Sequence, residues 1–458
     1  MQVALAFRTA RWWITSGCLF ALISLGACGG EEKQIAAEAC TVNADCAGTP
    51  ATPYCKDALT CVGCLENSHC TSSSAPICDL GSNTCRGCSM DSECASGVCL
   101  AAAGTCAEPA QILYVNATAG TNNATCDKLT PCRTMLHTKG LISGTRNVIR
   151  VIGPLTETVE LQTKVHVDGD GSTWTASSTP LNVGTGNGAV TVEGFTIQGP
   201  AGSTSQPVIQ CLNSGALRVH DVKLTGAGGS QPAIYSVCDT TITKSEIFSN
   251  PGGAVYCEGQ ALRIEDSLLR DNQARSVDCM GCSVTMARNR ITALTGGQSA
   301  VRIASAPMMQ VENNLITERA SGAARGIEVT NGPTGGQIRF NTLVNITAGA
   351  HTGEGISCAG TSVVTSNVIA WQNGLAQGGN ACARRYNAFD SSTAIGTGEG
   401  NLSAALAALF VNPASDFHLA AGSPAHGLAE PGAKVAQDLE GKARPTDGRL
   451  DAGAYETP

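Results

Sequence analysis

VTVEGFTIQG (190–199), LRVHDVKLTG (217–226), TITKSEIFSN (241–250), LRIEDSLLRD (262–271), VTMARNRITA (284–293), MQVENNLITE (309–318), IRFNTLVNIT (338–347) and VVTSNVIAWQ (363–372) succeed one another through the middle of the chain. Each is a short run of alternating apolar and polar residues. Marking the last core-type aliphatic of each run gives Ile197, Leu224, Ile247, Leu269, Ile291, Ile316, Val344 and Ile369, at steps of 27, 23, 22, 22, 25, 28 and 25 residues. So regular a period is the mark of a solenoid, in which each turn buries its apolar face only against its neighbours. The runs are rich in Val, Ile and Thr and broken by Gly, Asn and Ser, which excludes helical repeats. The reading is all-β, a right-handed parallel β-helix.

Alternation sends Val219, Ile264, Met286 and Val311 inward and Arg218, Arg263 and Gln310 outward. Each coil also holds an upstream strand: Ala233-Ile234-Tyr235, Ala254-Val255-Tyr256, Ala300-Val301-Arg302-Ile303 and Gly355-Ile356-Ser357. Two residues before the markers stand Ser245, Ser267, Asn289, Asn314, Thr342 and Asn367. This column resembles the asparagine ladder of parallel β-helices, where a turn amide bonds neighbouring backbone and the amide of the next coil.

Composition agrees with such a coil. Among 458 residues there are 53 glycines, with 4% aromatic and 14% charged residues, which suits tight turns and a β-branched interior. Formal charge is -8; without Arg8 and Arg11, Lys+Arg falls from 29 to 27 against 37 acids, or -10. No basic cluster with interleaved aromatics is present, so nucleic acid is excluded as an expected partner. No feature of the sequence calls for an oligomer, and a monomer is expected.

Arg8 and Arg11 precede WWITSGCLFALISLGA (12–27), a positive region followed by a short apolar run ending in small residues, the pattern of an export signal. Leu25-Gly26-Ala27-Cys28 resembles the lipobox of bacterial lipoproteins, which makes Cys28 the lipidated first residue; in that family Gly29 is compatible with sorting to the outer membrane. The expected division is a signal peptide (1–27), a tether (28–39), a Cys-rich module (40–108) and the coil with its closing segment (110–458). The expected location is the outer membrane or cell surface, with the membrane as a partner through the lipid.

Twelve of the 23 cysteines lie in the module, as Cys40, Cys46, Cys55, Cys61, then Cys64, Cys70, Cys78, Cys85, then Cys88, Cys94, Cys99, Cys106. Each unit opens with C-x5-C, and units meet at C-x2-C joints, giving a 24-residue repeat. With few large apolar residues between them, crosslinks must supply the stability, and three disulfide knots are expected. Similar arrays follow the lipobox in surface lipoproteins of the myxobacterial type. Zinc at Cys61-x2-Cys64 or Cys85-x2-Cys88 is the competing reading, weakened by the export signal and the even count.

The segment ILYVNATAGTNNATCDKLTPCRTM (112–135) resembles the opening of parallel β-helix proteins, with Thr134 to Leu141 expected as a cap and Cys126 and Cys132 closing a small loop. Further along, Cys211–Cys238, Cys257 with Cys279 or Cys282, and Cys358–Cys382 stand where coil-to-coil bridges would form. Asp168-Gly169-Asp170-Gly171 reads as a turn. Its two carboxylates raise a structural calcium ion but are too few to hold one alone, and no cofactor motif occurs.

The outward positions after the inward aliphatics are Glu193, His220 with Asp221, Glu265 with Asp266, Arg288, and Glu312 with Asn313. Asp221, Arg263, Asp266 and Arg288 are the candidates for chemistry, since a glycosidase needs paired carboxylates and a lyase an Arg near carboxylates. Asp221 and Asp266 fall two coils apart, roughly 10 Å. A solvated face of ordinary charges accounts for the same residues. The NTD, DD, GHG and RIK segments of polygalacturonase-like enzymes do not occur in the required order, nor does a pectate-lyase arginine motif, although the solenoid itself is pectate-lyase-like. His220, His351 and His418 are scattered.

Asp416-Phe417-His418-Leu419, Asp438-Leu439-Glu440-Gly441, Arg444-Pro445 and Asp451-Ala452-Gly453-Ala454-Tyr455-Glu456 together resemble the ending of bacterial β-helix proteins with choice-of-anchor (type Q) segments. The resemblance implies loops locked over the open end of the coil. The sequence therefore weighs against an enzyme. It points to an exported, lipid-anchored protein of binding or structural type, presenting its face to polysaccharide or cell-envelope components. The alternative is a polysaccharide lyase or glycoside hydrolase.

Overall fold

The computed structural model describes residues 40–186, 188–200, 205–212, 215–293, 298–318, 325–345, 354–371, 382–390, 398–446 and 448–457. The signal segment, Cys28 and His351 lie outside these residues. Two compact units divide the chain at residues 65 and 66.

In the first unit a 3-10 turn (Asn43–Cys46) precedes a hairpin of Tyr54–Lys56 and Thr60–Val62. Disulfides Cys40–Cys55 and Cys46–Cys61 replace the missing apolar core, and Cys64 is disulfide-bonded as well.

The second unit begins with the remaining Cys repeats, closed by Cys70–Cys85, Cys88–Cys99 and Cys94–Cys106, with Cys78 also bonded. Each of these pairs joins the first cysteine of a repeat to its third, or the second to its fourth, so the zinc reading gives way to crosslinks. Val98 and Ala107 of the last repeat bury against Ile112, Tyr114 and Val148 of the first coil strands.

From residue 112 the chain winds through three parallel sheets, all-β as a right-handed parallel solenoid. Among the described residues the first sheet has 12 strands, the second 11 and the third 9. A coil runs from a first-sheet strand such as Ala189–Glu193 through a second-sheet strand, Thr196–Gln198, to a third-sheet strand, Ile209–Cys211. Registers carry like residues onto like: Val192, Val219, Ile242, Ile264, Met286, Val311 and Ile338 form one inward column. At the start, Cys126–Cys132 pins a loop and a helix (Met135–Thr138) capped by Thr134 covers the first turns.

First and second sheets are joined by a two-residue turn. Its first residue takes a left-handed conformation in Asp221, Lys244, Asp266, Arg288, Asn313, Phe340, Ser366 and Tyr386, with φ between 49° and 59°. Its second residue carries the ladder. Ser267 N donates to Asn289 Oδ1 (3.1 Å), Asn289 N to Asn314 (3.0 Å), Asn314 N to Asn341 (3.0 Å), Asn341 N to Asn367 (2.9 Å) and Asn367 N to Asn387 (3.0 Å). Side-chain amides donate to the same oxygens and to backbone carbonyls of the preceding coil, so these fully buried groups are satisfied.

One rung differs from the sequence expectation. Asn341, not Thr342, is in the ladder, and Leu343, not Val344, pairs in register with Ile316. The slip arises because Val344 points outward yet is buried, which removes the alternation at that strand.

The cover over Val344 is the C-terminal segment. Leu409, Phe410, Phe417, Leu419, Ala452 and Tyr455 pack with outward Leu315, Val344, Val368 and Ala388 of the second sheet. The lock therefore lies along the side of the coil, not over its end. Gly453 approaches so closely that a Cβ would sit 2.8 Å from Val368 Cγ2, and its φ of +96° independently requires glycine. Arg444, with a fully buried side chain, donates to Asn313 Oδ1 (2.9 Å) and to Gly453 O (2.8 Å) and pairs with Glu456. His418 sits between Asp416 (2.6 Å) and Glu440 (3.3 Å), against the Tyr455 ring. It serves this lock.

Replacing Asn341 by Leu strands the Asn314 N–H and amide donors. The expected loss is about 2–3 kcal/mol in urea unfolding, against less than about 0.5 kcal/mol for Thr361→Ala on the surface.

Candidate active site

The C-terminal ends of the first-sheet strands place one residue per coil in register on the outer face. Arg150, Asp168, Glu193, His220, Thr243, Glu265, Ala287, Glu312 and Arg339 follow one another along it. A second outward column, two residues earlier, holds His166, Thr191, Arg218, Thr241, Arg263, Thr285 and Gln310. Ladder spacing sets successive groups roughly 4.8 Å apart.

At the N-terminal end of this face the charges are buried. Arg150, with its side chain 8% exposed, pairs with Asp168, with Asp170 (2.5 Å) and with Asp91 of the last Cys repeat (2.6 Å). Glu193 accepts backbone N–H groups of Ala101 (3.1 Å) and Ala102 (3.0 Å) and lies 2.6 Å from His166 Nε2. His220 shares a hydrogen bond between Nδ1 and Thr243 Oγ1 (2.8 Å). Asp91, Ala101, Asp168, Asp170, Glu193, His220 and Asp221 all line one open cavity of about 220 Å³.

Burial changes the chemistry of these groups. It pushes the Asp168 carboxyl up to about 6, the Arg150 charge opposing it incompletely. Burial likewise pushes the His220 imidazole down, with Glu193 opposing. A carboxyl that titrates near neutrality beside a second carboxylate and an imidazole can give and take protons at ordinary pH. The calcium reading of Asp168 and Asp170 fits poorly, because the Arg150 guanidinium is bound by both carboxylates.

The four residues singled out in the sequence divide into two groups. Asp221 lies on the cavity wall. Further along, Arg288 holds Asp266 with two bonds (2.6 and 2.9 Å), and Arg263 bonds Glu265 (2.9 Å). Asp221, Lys244, Asp266 and Arg288 occupy successive left-handed turn positions, the last two joined as an ion pair. Asp168 escapes a reading of the sequence because the glycines after it mark it as a turn residue. It is the last residue of a strand (Val165–Asp168), in register with Glu193.

A second polar surface lies on the third sheet. Tyr235 and Tyr256 stack at 5.2 Å between ring centroids, beside Arg275 and Asp278, around a groove of about 530 Å³.

A family model described as "Right handed beta helix region" matches residues 207–369. Among solved structures, a pectate lyase, Pel9A, is similar at 12% identity and a TM-score of 0.45, over 76% of this chain and 96% of its own. The Dettilon tailspike protein is similar at 13% identity and a TM-score of 0.36, over 64% of this chain and 68% of its own. No curated protein matches. Identities this low place the chain among β-helix proteins by fold, without carrying over a reaction. The expectation against an enzyme is nevertheless corrected: a pectate lyase is among the proteins whose fold this chain resembles. The buried carboxyls at this cavity, moreover, are not a merely solvated face.

The Asp168 shift has a signed consequence. Its folded value lies above the ordinary 3.8, so the folded state holds the proton more tightly and stability falls as pH rises from about 4 to about 6. Asp168→Asn should remove up to about 3 kcal/mol of that fall. Urea unfolding of both proteins across this range measures the difference.

Proposed function

We propose that this chain cleaves an extracellular polysaccharide, as a glycoside hydrolase or a lyase, at the cavity where Asp168, Glu193 and His220 meet. The observation that carries the reading is the pair of buried carboxyls on adjacent coils, one titrating near neutrality, opening on a cavity at the end of a long polar face. Asp168 is the proton donor and acceptor. Glu193, held by two backbone N–H groups, is its partner carboxyl. The outward Thr, Arg and Gln columns of the first sheet offer hydroxyl, guanidinium and amide groups at a regular spacing, which suits a repeating sugar chain. Binding of a polysaccharide without cleavage is the reading to separate from it.

Export and lipid attachment through Cys28 belong to the same proposal. They are supported by the signal pattern and by a chain braced throughout by disulfides, which persist in oxidising compartments. A protein held at the outer surface would meet polysaccharide there.

Incubation with a panel of neutral and acidic polysaccharides, following reducing ends and unsaturated products separately, tests the reading. Cleavage of at least one polymer is expected, reduced about 100-fold or more in Asp168→Asn and Glu193→Gln, with binding retained. Retention of a polymer without any product would instead favour a binding protein, and cleavage undisturbed in both variants would move the site elsewhere.

A further inference from the structure

Cys257, Cys279 and Cys282 are free and fully buried in the core of the coil, in a chain whose other described cysteines are all disulfide-bonded. The bridge expected among them is thus not formed in the structure. Their sulfurs bond backbone instead: Cys257 to Gln260 O (4.0 Å), Cys279 to Cys282 O (3.4 Å) and Cys282 to Met280 O (3.8 Å).

The two inter-coil bridges that are formed supply a template. Cys211 is the third residue of a third-sheet strand, Ile209–Cys211, and bonds Cys238, which lies one full turn further on and immediately precedes the first-sheet strand Asp239–Thr243. Cys358 is the third residue of Ile356–Gly360 and bonds Cys382, which immediately precedes Ala383–Arg385. Their Cα separations are 5.9 and 5.6 Å, in the middle of the range disulfides require.

The three thiols can be placed on this template by register. Cys211, Ser236, Cys257, Cys279, Ile303, Val329 and Cys358 form one in-register column. Cys257 is the third residue of Val255–Glu258, and Cys282, one full turn further on, immediately precedes the first-sheet strand Ser283–Ala287. Cys257 and Cys282 therefore occupy the same two positions as the bonded pairs. The other two combinations do not. Cys257 and Cys279 are direct register partners within the third sheet, whereas each formed bridge spans from the third sheet to the first. Cys279 and Cys282 stand three residues apart on one stretch of chain, with no turn of the coil between them, and the Cys279 sulfur already accepts the Cys282 N–H (3.2 Å).

We propose that Cys257 and Cys282 form a third inter-coil disulfide in the exported protein, leaving Cys279 as a buried free thiol. The two thiols release two protons and two electrons as the Sγ–Sγ bond forms. A disulfide of the oxidising compartment, small-molecule or protein, accepts both electrons and protons and becomes a dithiol.

The full chain, secreted and purified without reductant, is unfolded in acidic denaturant to block exchange, alkylated, digested and mapped by mass spectrometry without reduction. The expected result is a peptide linked through Cys257 and Cys282, with alkylation at Cys279 and at neither of the others. Alkylation of all three would overturn the proposal, as would a link from Cys279 to either partner. In Cys279→Ser the same linked peptide should persist, and its loss there would equally contradict the assignment.

Discussion

Parallel in-register stacking is the constraint on which the rest of this molecule depends. Each coil can satisfy its backbone only through the coils above and below, so equivalent positions must repeat in space. The turn between first and second sheets is where this demand is strictest. A left-handed residue reverses the chain, and the next side chain goes inside. From Ser267 to Asn387 that side chain is a hydroxyl or an amide bonded from one coil to the next. An unpaired amide there would cost about as much as several buried methylenes contribute. The ladder therefore excludes slipped registers as well as holding the correct one.

Much of this was legible in the sequence, because alternating aliphatics that recur every 22 to 28 residues fit a stacked coil and little else. The fold class and the upstream strands follow from pattern, and the cap at Met135 from the resemblance of 112–135 to other β-helix openings. Two elements do not. Val344 reads as a core residue because the C-terminal segment buries the outward face of its strand, and no local pattern announces cover that arrives a hundred residues later. For the same reason the segment ending in Tyr455 reads as an end cap. It is a clasp along the side, fastened by Arg444 and by the one residue, Gly453, that can approach Val368.

The candidate site was half legible. Glu193, His220 and Asp221 stand out as outward polar residues, but their importance depends on burial, which a sequence does not display. Asp168 gains its raised value from burial, against which Arg150, shared among Asp91, Asp168 and Asp170, pulls it down. The Cys-rich region is thus more than a stalk in physical terms. Its last repeat supplies one wall of the cavity and two of the N–H groups that hold Glu193. The charged residues chosen from sequence farther along the face, Arg263, Asp266 and Arg288, are instead bound to carboxylates or guanidinium groups close by.

The functional reading stands or falls on whether the outer face of the first sheet holds a sugar chain with its scissile bond at Asp168. A crystal structure of Asp168→Asn with an oligosaccharide, taken from whichever polymer the protein cleaves, decides it. Saccharide density is expected along the first-sheet face, with a glycosidic oxygen in hydrogen-bond reach of residue 168. Density confined to the Tyr235–Tyr256 groove of the third sheet, with the cavity at Asp168 empty, would contradict it.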